Sequence, residues 1–201
     1  MAKSDIFMHA GHLQFRRKSW HHRNYIWLDS QPHLLTIPIE RPSLRPIRDV
    51  WFKDDHWKKD HLGTIALAYG NAPFFDDYYP PLKEIIYYHP HSLERLNIEL
   101  TTLVARWLGI RTTIVDGAQW DLPPKKKDPV GMILQMCTAV EANAYLSNEG
   151  SKVYITPLEE VRMRKEGVMH QWLEFDDPDP QPLAAIHHLF MLGPDAEGLI
   201  R

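Results

Sequence analysis

Residues 111–150, RTTIVDGAQWDLPPKKKDPVGMILQMCTAVEANAYLSNEG, change hydrophobic period twice. RTTIVDG is short, rich in β-branched residues and closed by glycine, which reads as a strand. PVGMILQMCTAVEA places apolar residues at helical spacing, and NAYLSNEG returns to a short strand that ends in a glycine turn. The alternation continues downstream. TPLEEVRMRKEG (156–167) reads as a helix with Thr156 as its cap and Pro157 at its first position, VMHQWLEF (168–175) as a strand, and PLAAIHHLFMLG (182–193) as a closing helix. Strands separated by helices favour parallel pairing through crossovers. The expected fold class is therefore α/β, a single domain with a mixed or parallel sheet flanked by helices.

Upstream the pattern is different. SLERLNIELTTLVARWLG (92–109) is the clearest helix, with Ser92 as N-cap and an apolar stripe of Leu93, Leu96, Leu100, Leu103 and Trp107 that Gly109 ends. A Pro- and Tyr-rich helix is expected over Pro73–Tyr88. Another runs from about Asp54 to Gly70, with Trp57, His61, Ile65 and Ala68 on one face. Short strands are expected at Asp5–His9, Arg23–Trp27, His33–Ile39 and Ile47–Phe52, punctuated by prolines that deny them long central positions. The chain thus divides into a strand-rich front (1–53), a helical middle (54–109) and an alternating back (110–201). Two charged loops, DLPPKKKDP (121–129) and DDPDPQP (176–182), are expected to be exposed connectors.

Composition bounds the function. With 201 residues, 44% apolar and 24% charged, the chain has enough apolar material for a real core. No run approaches the ~20 apolar residues of a membrane span, and MAKSDIFMHAG is not a signal peptide. The single cysteine, Cys137, excludes an internal disulfide framework, so a reducing, cytoplasmic setting is expected. The net charge of −3 hides an asymmetry: residues 1–61 carry 11 Lys/Arg against 7 Asp/Glu, whereas the remainder is acidic. Such a basic front can orient a protein toward a polyanion. Phosphate-loop, dinucleotide-binding, zincin and hydrolase-elbow motifs are all absent, so no cofactor is expected.

The basic front centres on QFRRKSWHHRNYIW (14–27), in which four Lys or Arg, two His and several aromatics occur without one acid. Two readings are open: a solvated strip, or the wall of a site for something phosphorylated, with Arg gripping phosphate and an aromatic stacking on a base or sugar. The histidines do not converge on a metal. His9 and His12 would face opposite sides of a strand, His56 and His61 do not share a helix face, and His187 and His188 diverge. General-base work by one His is the easier reading. Cys137 is either a small buried hydrophobe or a thiolate nucleophile, and its mid-helix position shows no activating cation. Ser147 ends a strand at the edge where α/β sheets gather ligands, so the turn after it is either a plain turn or an anion cradle.

Block by block, the chain resembles the WbqC-like protein family. DIFMHAGHLQF (5–15) keeps Asp5, Phe7 and Gln14 of a D-x-F-x-x-x-D-x-x-Q pattern, and HRNYI (22–26) keeps Arg23 and Asn24. HLLTIPI (33–39) is similar to a further block, and HWKKDHLGTIALAYGNAPFF (56–75) keeps Trp57, His61 and Tyr69. RLNIELTTLVARWLGIRTTIV (95–115), MCTAVEANAYLSNEGSKVYI (136–155) and HLFMLGPDAEGLI (188–200) complete the series, the second of these with Cys137, Tyr145, Ser147 and Tyr154 in place. The departures are Gly11 where the pattern has an acid, Ala184 and His187 where Ser and Asp are usual, and a start after the family's Q-P-x-Y-x-P-W motif. They leave room for an inactive or altered-substrate member.

The resemblance implies transfer of a small amine-containing group, such as an amino acid, to a phosphorylated or otherwise activated acceptor. Family members accompany nucleotide-sugar and O-antigen pathways, and related proteins occur in phage pathways that decorate DNA bases. The favoured acceptor is a hypermodified thymine base in phage DNA. The alternatives are tailoring of a nucleotide-linked sugar and a catalytically silent binding protein. The implied roles are Arg23 as phosphate clamp, helped by Arg16 and Lys18, Gln14 and Asn24 as orienting groups, His61 as general base, and Ser147 with Tyr145 holding phosphate or carboxylate. Expected partners are the phosphorylated acceptor, DNA among them, and a small amine or amino-acid donor.

Overall fold

The computed structural model describes residues 1–40, 45–88, 92–120, 122, 128–173 and 183–200. Two compact units emerge, Met1–Asp116 with Asp179–Arg201, and Gly117–Pro178. Helices and two-stranded sheets, two of them parallel and one antiparallel, give the expected α/β class.

In the first unit β1 (Ile6–His9) pairs in parallel with β4 (Thr113–Asp116), which sets His9 opposite Asp116. The second pair, β2 (Arg23–Leu28) and β3 (Gln31–Thr36), is an antiparallel hairpin. Its two-residue loop, Asp29 and Ser30, has positive φ at both positions, the geometry that matches the right-handed twist of the strands and pins the register. That register sets Arg23 opposite Thr36.

Three helices pack beneath: α1 (His56–Tyr69), α2 (Phe75–Tyr88) and α3 (Leu93–Trp107). Ser92 caps α3 by accepting from the Arg95 N–H, and Leu93 and Leu96 behind it are fully buried. In α1 the apolar face is Trp57, Leu62, Ile65 and Tyr69. Pro80 and Pro81 lie inside α2 and remove two backbone donors, at about 3 kcal/mol per interior proline. The helix persists because Tyr78, Leu82 and Ile86 anchor one face in the core. A last helix, α6 (Ala185–Leu192), brings Leu189 and Phe190 into the same cluster.

One expected strand is something else. Ile47–Asp49 is a 3₁₀ turn, Val50 N–H bonds back to the Ile47 carbonyl, and Trp51 and Phe52 make only isolated bridges. Pro46 holds φ at −64° at the turn's entrance, and burial of Ile47, Val50 and Phe52 explains the strand-like composition. The two charged loops fall mostly outside the described residues, within 121–127 and 174–182.

The second unit holds α4 (Pro129–Ala139), β5 (Ala144–Ser147), α5 (Pro157–Lys165) and β6 (Met169–Trp172), with β5 and β6 parallel. Val130, Ile133, Cys137, Ile155, Met163 and Val168 form its core. Asp128 ties it together: its carboxylate accepts from the Gly131 N–H at 2.8 Å as the α4 cap and from both Arg162 terminal nitrogens at 2.8 Å. A side chain at residue 131 would push on that carboxylate and disturb the cap and the ion pair together. Asp128→Ala should cost roughly 1–2 kcal/mol in denaturant unfolding, and Asp128→Asn, which keeps the cap acceptor, should cost less.

Candidate functional site

A groove of about 370 Å³ opens on the β2–β3 hairpin, lined by Arg17, Lys18, His22, Arg23, Thr36 and Ile39. Three of these are cations and none is an acid. The hairpin builds it, because Arg23 and Thr36 are register partners. Lys18 stands at φ 62°, a left-handed conformation uncommon for a side-chain-bearing residue. The Arg23 guanidinium donates to the Lys18 carbonyl and so fixes the loop that carries the other two cations. Arg23 also lies over the Trp20 ring, 5.3 Å from its centroid, while 58% of Trp20 remains exposed. A weakly hydrated guanidinium on an open indole face puts positive charge and a stacking surface side by side.

The two histidines near the groove are held neutral. Burial, then the Arg23 charge, pushes His22 below its ordinary value, and the Ser19 backbone opposes this. His61, on α1, is lowered chiefly by burial, against raising contributions from the Thr36 backbone and Asp60. Thr36 therefore links His61 to the groove wall. A neutral imidazole is the form a general base needs.

Of the residues singled out in the basic front, Lys18 and Arg23 line the groove, while Gln14, Arg16 and Asn24 do not. Gln14 is exposed and bridges Pro46. Asn24 alternates with Arg23 along β2 and so points from the opposite face, its Oδ1 accepting from the Tyr25 N–H. Arg17, His22 and Thr36 were not singled out; for Arg17 and His22 the run of basic residues carried the signal, whereas Thr36 enters only through hairpin register.

A second polar cluster lies in the same unit and was not legible in the sequence. Glu94, in the first turn of α3, is 6% exposed, and its carboxyl is pushed up to about 7 by burial first and by the nearby Asp116 next. A Cβ on Gly11 would lie 1.3 Å from Glu94 Oε1, so this carboxylate fills the space that a side chain at residue 11 would take. The acid missing from the D-x-x-Q block thus has a spatial counterpart from another element. Glu94 Oε1 is buried without a hydrogen bond, as are His9 Nε2 and both ring nitrogens of His12, the residue that follows Gly11. The first strand ends at His9, as expected, and His12 sits in the following turn, 4% exposed. His187 pairs through Nδ1 with the Tyr69 hydroxyl at 3.1 Å, and that hydroxyl accepts from the Trp27 N–H at 2.8 Å.

Cys137, Tyr145 and Ser147 belong to the other unit. Burial pushes the Cys137 thiol up, away from the thiolate, and raises Tyr145 to about 12, with Tyr154 and Cys137 adding to the effect. Ser147 closes β5, 5% exposed, with its Oγ 2.7 Å from His170 Nε2. The other ring nitrogen of His170 lies 2.9 Å from Glu160 Oε1. Neither His170 nor Glu160 was singled out in the sequence. Among the described residues no group of three or more His, Cys, Asp or Glu is placed to hold a metal, and no helix is long and apolar enough to cross a membrane.

The profile of the WbqC-like protein family matches residues 1–188. The chain belongs to this family. It is also 22% identical over 175 residues to the uncharacterised protein Rv1507c of Mycobacterium tuberculosis, a match covering 86% of this chain and 73% of that protein. No solved structure matches significantly. The matched span takes in both units of this WbqC-like protein except the last residues of the first.

Proposed function

We propose that this WbqC-like protein is a transferase that attaches a small amine-containing group, such as an amino acid, to a phosphorylated acceptor held in the basic groove, the favoured acceptor being a hypermodified thymine base in DNA. The observation that carries this reading is the joining of Arg17, Lys18 and Arg23 in one acid-free groove beside the exposed Trp20. Cations without a neighbouring carboxylate bind phosphate oxygens, and an exposed indole stacks on a base. In this reading Arg17, Lys18 and Arg23 hold the acceptor's phosphates, and His61, neutral at physiological pH, draws the proton from the attacking amine. The groove's volume also falls in the range of small-ligand sites, so a nucleotide-linked sugar is the second candidate acceptor.

Binding across a salt series decides between them. Unmodified DNA, DNA carrying pyrophosphorylated thymine and a nucleotide-sugar panel would be titrated against wild type, Arg17→Ala and Arg23→Ala. The expected result is salt-dependent affinity for the modified DNA, lowered about tenfold or more by Arg17→Ala, which leaves the Arg23–Lys18 contact intact. Preference for the nucleotide-sugars would move the acceptor to the second class. Binding that neither substitution changes would remove the groove from function. Retained binding with no turnover, indifferent to His61→Ala, would mark a silent binding protein.

A further inference from the structure

We propose that Ser147, His170 and Glu160 form a nucleophilic relay, in which Ser147 Oγ accepts an acyl group from an activated carboxylic ester. The inference uses only residues of the second unit and stands independently of the basic groove.

The three groups have the order nucleophile, base and orienting acid. Ser147 Oγ to His170 Nε2 is 2.7 Å, and His170 Nδ1 to Glu160 Oε1 is 2.9 Å. An ionised carboxylate can only accept, so Nδ1 carries the proton, and in the neutral ring Nε2 offers its lone pair to the serine hydroxyl. Glu160 Oε1 also accepts from Trp172 Nε1–H at 3.2 Å, which fixes the carboxylate.

The sheet explains the convergence. In the parallel register Tyr145 faces His170 and Ser147 faces Trp172, so all four side chains share one face and Ser147 lies diagonal to the imidazole. The ring is held by Trp172 edge-on at 4.4 Å and by Tyr145 nearly parallel at 6.3 Å. Its side chain is 2% exposed, whereas that of Glu160 is 34% exposed. A buried imidazole locked between two rings and hydrogen-bonded at both nitrogens is oriented before any substrate arrives, as nucleophile activation requires. Ser147 stands at the C-terminal end of its strand, the sheet edge where α/β folds place reacting groups.

The step balances without a redox partner. Ser147 Oγ attacks the carbonyl carbon of an activated ester; the Oγ–C bond forms and the bond to the leaving alcohol breaks. The hydroxyl proton passes to His170 Nε2 and from there to the departing oxygen. Water or an amine then attacks the new ester, its proton returns through Nε2 to Oγ, and the Oγ–C bond breaks.

The test treats the full chain with a fluorophosphonate probe and, separately, with p-nitrophenyl acetate, followed by intact mass and peptide mapping. One adduct at Ser147 is expected with each reagent. Ser147→Ala should abolish it, and Glu160→Gln should slow it at least about tenfold, since the orienting acid no longer enforces the tautomer. Should Ser147→Ala not fold, Ser147→Cys keeps the side-chain size and should shift reactivity to iodoacetamide at the same position. No adduct on folded wild type, an adduct elsewhere, or an unchanged rate in Glu160→Gln would overturn the proposal.

Discussion

Replacing Glu94 with Gln is expected to stabilise the protein at pH 8 and to leave it nearly unchanged at pH 4.5. The folded carboxyl titrates at about 7 rather than the ordinary 4.5, because burial and the Asp116 charge disfavour its anion. Between those values the native state keeps a proton that the unfolded chain releases. Stability is therefore highest below the unfolded value and falls as pH rises through the folded one. A gap of 2.5 units, 7 less 4.5, corresponds to roughly 3 kcal/mol at about 1.36 kcal/mol per unit. Arg48 and Arg95 pull the other way, and Asp49 adds to the rise. The Glu94→Gln substitution keeps the shape and removes the titration, so the variant's denaturation midpoint should lose this component of its pH dependence. The check is urea unfolding of both proteins at several pH values. Parallel profiles would show that the buried carboxyl is already ionised at little cost.

The second large effect is expected at Gly193, where α6 ends. Its backbone stands at φ 58°, ψ −132°, a region that residues bearing a Cβ rarely enter. An added Cβ would meet three ring carbons of Phe74 at 2.6–2.7 Å, below any real contact. Phe74 has no easy retreat, because its own N–H bonds to the Phe190 carbonyl at 3.1 Å. Gly193→Ala should therefore cost about 3 kcal/mol or more, combining backbone strain of ~1–3 kcal/mol with the clash. In a chain of this size that lowers Tm by roughly 6–12 °C. Gly63 is the control of opposite sign. It lies in α1, exposed, with nothing within 4 Å of an added Cβ, so Gly63→Ala should stabilise by about 1 kcal/mol. Thermal melts of the two variants read both effects. Equal Tm values would mean that the ring moves aside freely.

Local signals were legible where the physics is local. The α3 cap at Ser92, its Leu93 and Leu96 anchors, the Thr156 cap of α5 and the strand ending at Ser147 all follow from spacing and residue type. The 3₁₀ turn at Ile47–Asp49 was missed because buried Ile, Val and Phe favour a strand in composition, while the neighbouring segments offered only single bridges. The site was legible to the extent that it depends on one run of residues, as with Lys18 and Arg23. His170 and Glu160 reach Ser147 only through the β5–β6 register and the docking of α5, 23 residues away for the imidazole. Glu94 looked like an ordinary charge in a helix's first turn. Its burial becomes visible only when the loop carrying Gly11 is laid against it.

That contact makes residues 11 and 94 a coupled pair in sequence space. With Glu94 as it stands, a side chain at residue 11 would displace the Glu94 carboxylate from the volume it fills. A change at either position is therefore felt at the other. A substitution at either position should be tolerated or not according to the residue found at its mate.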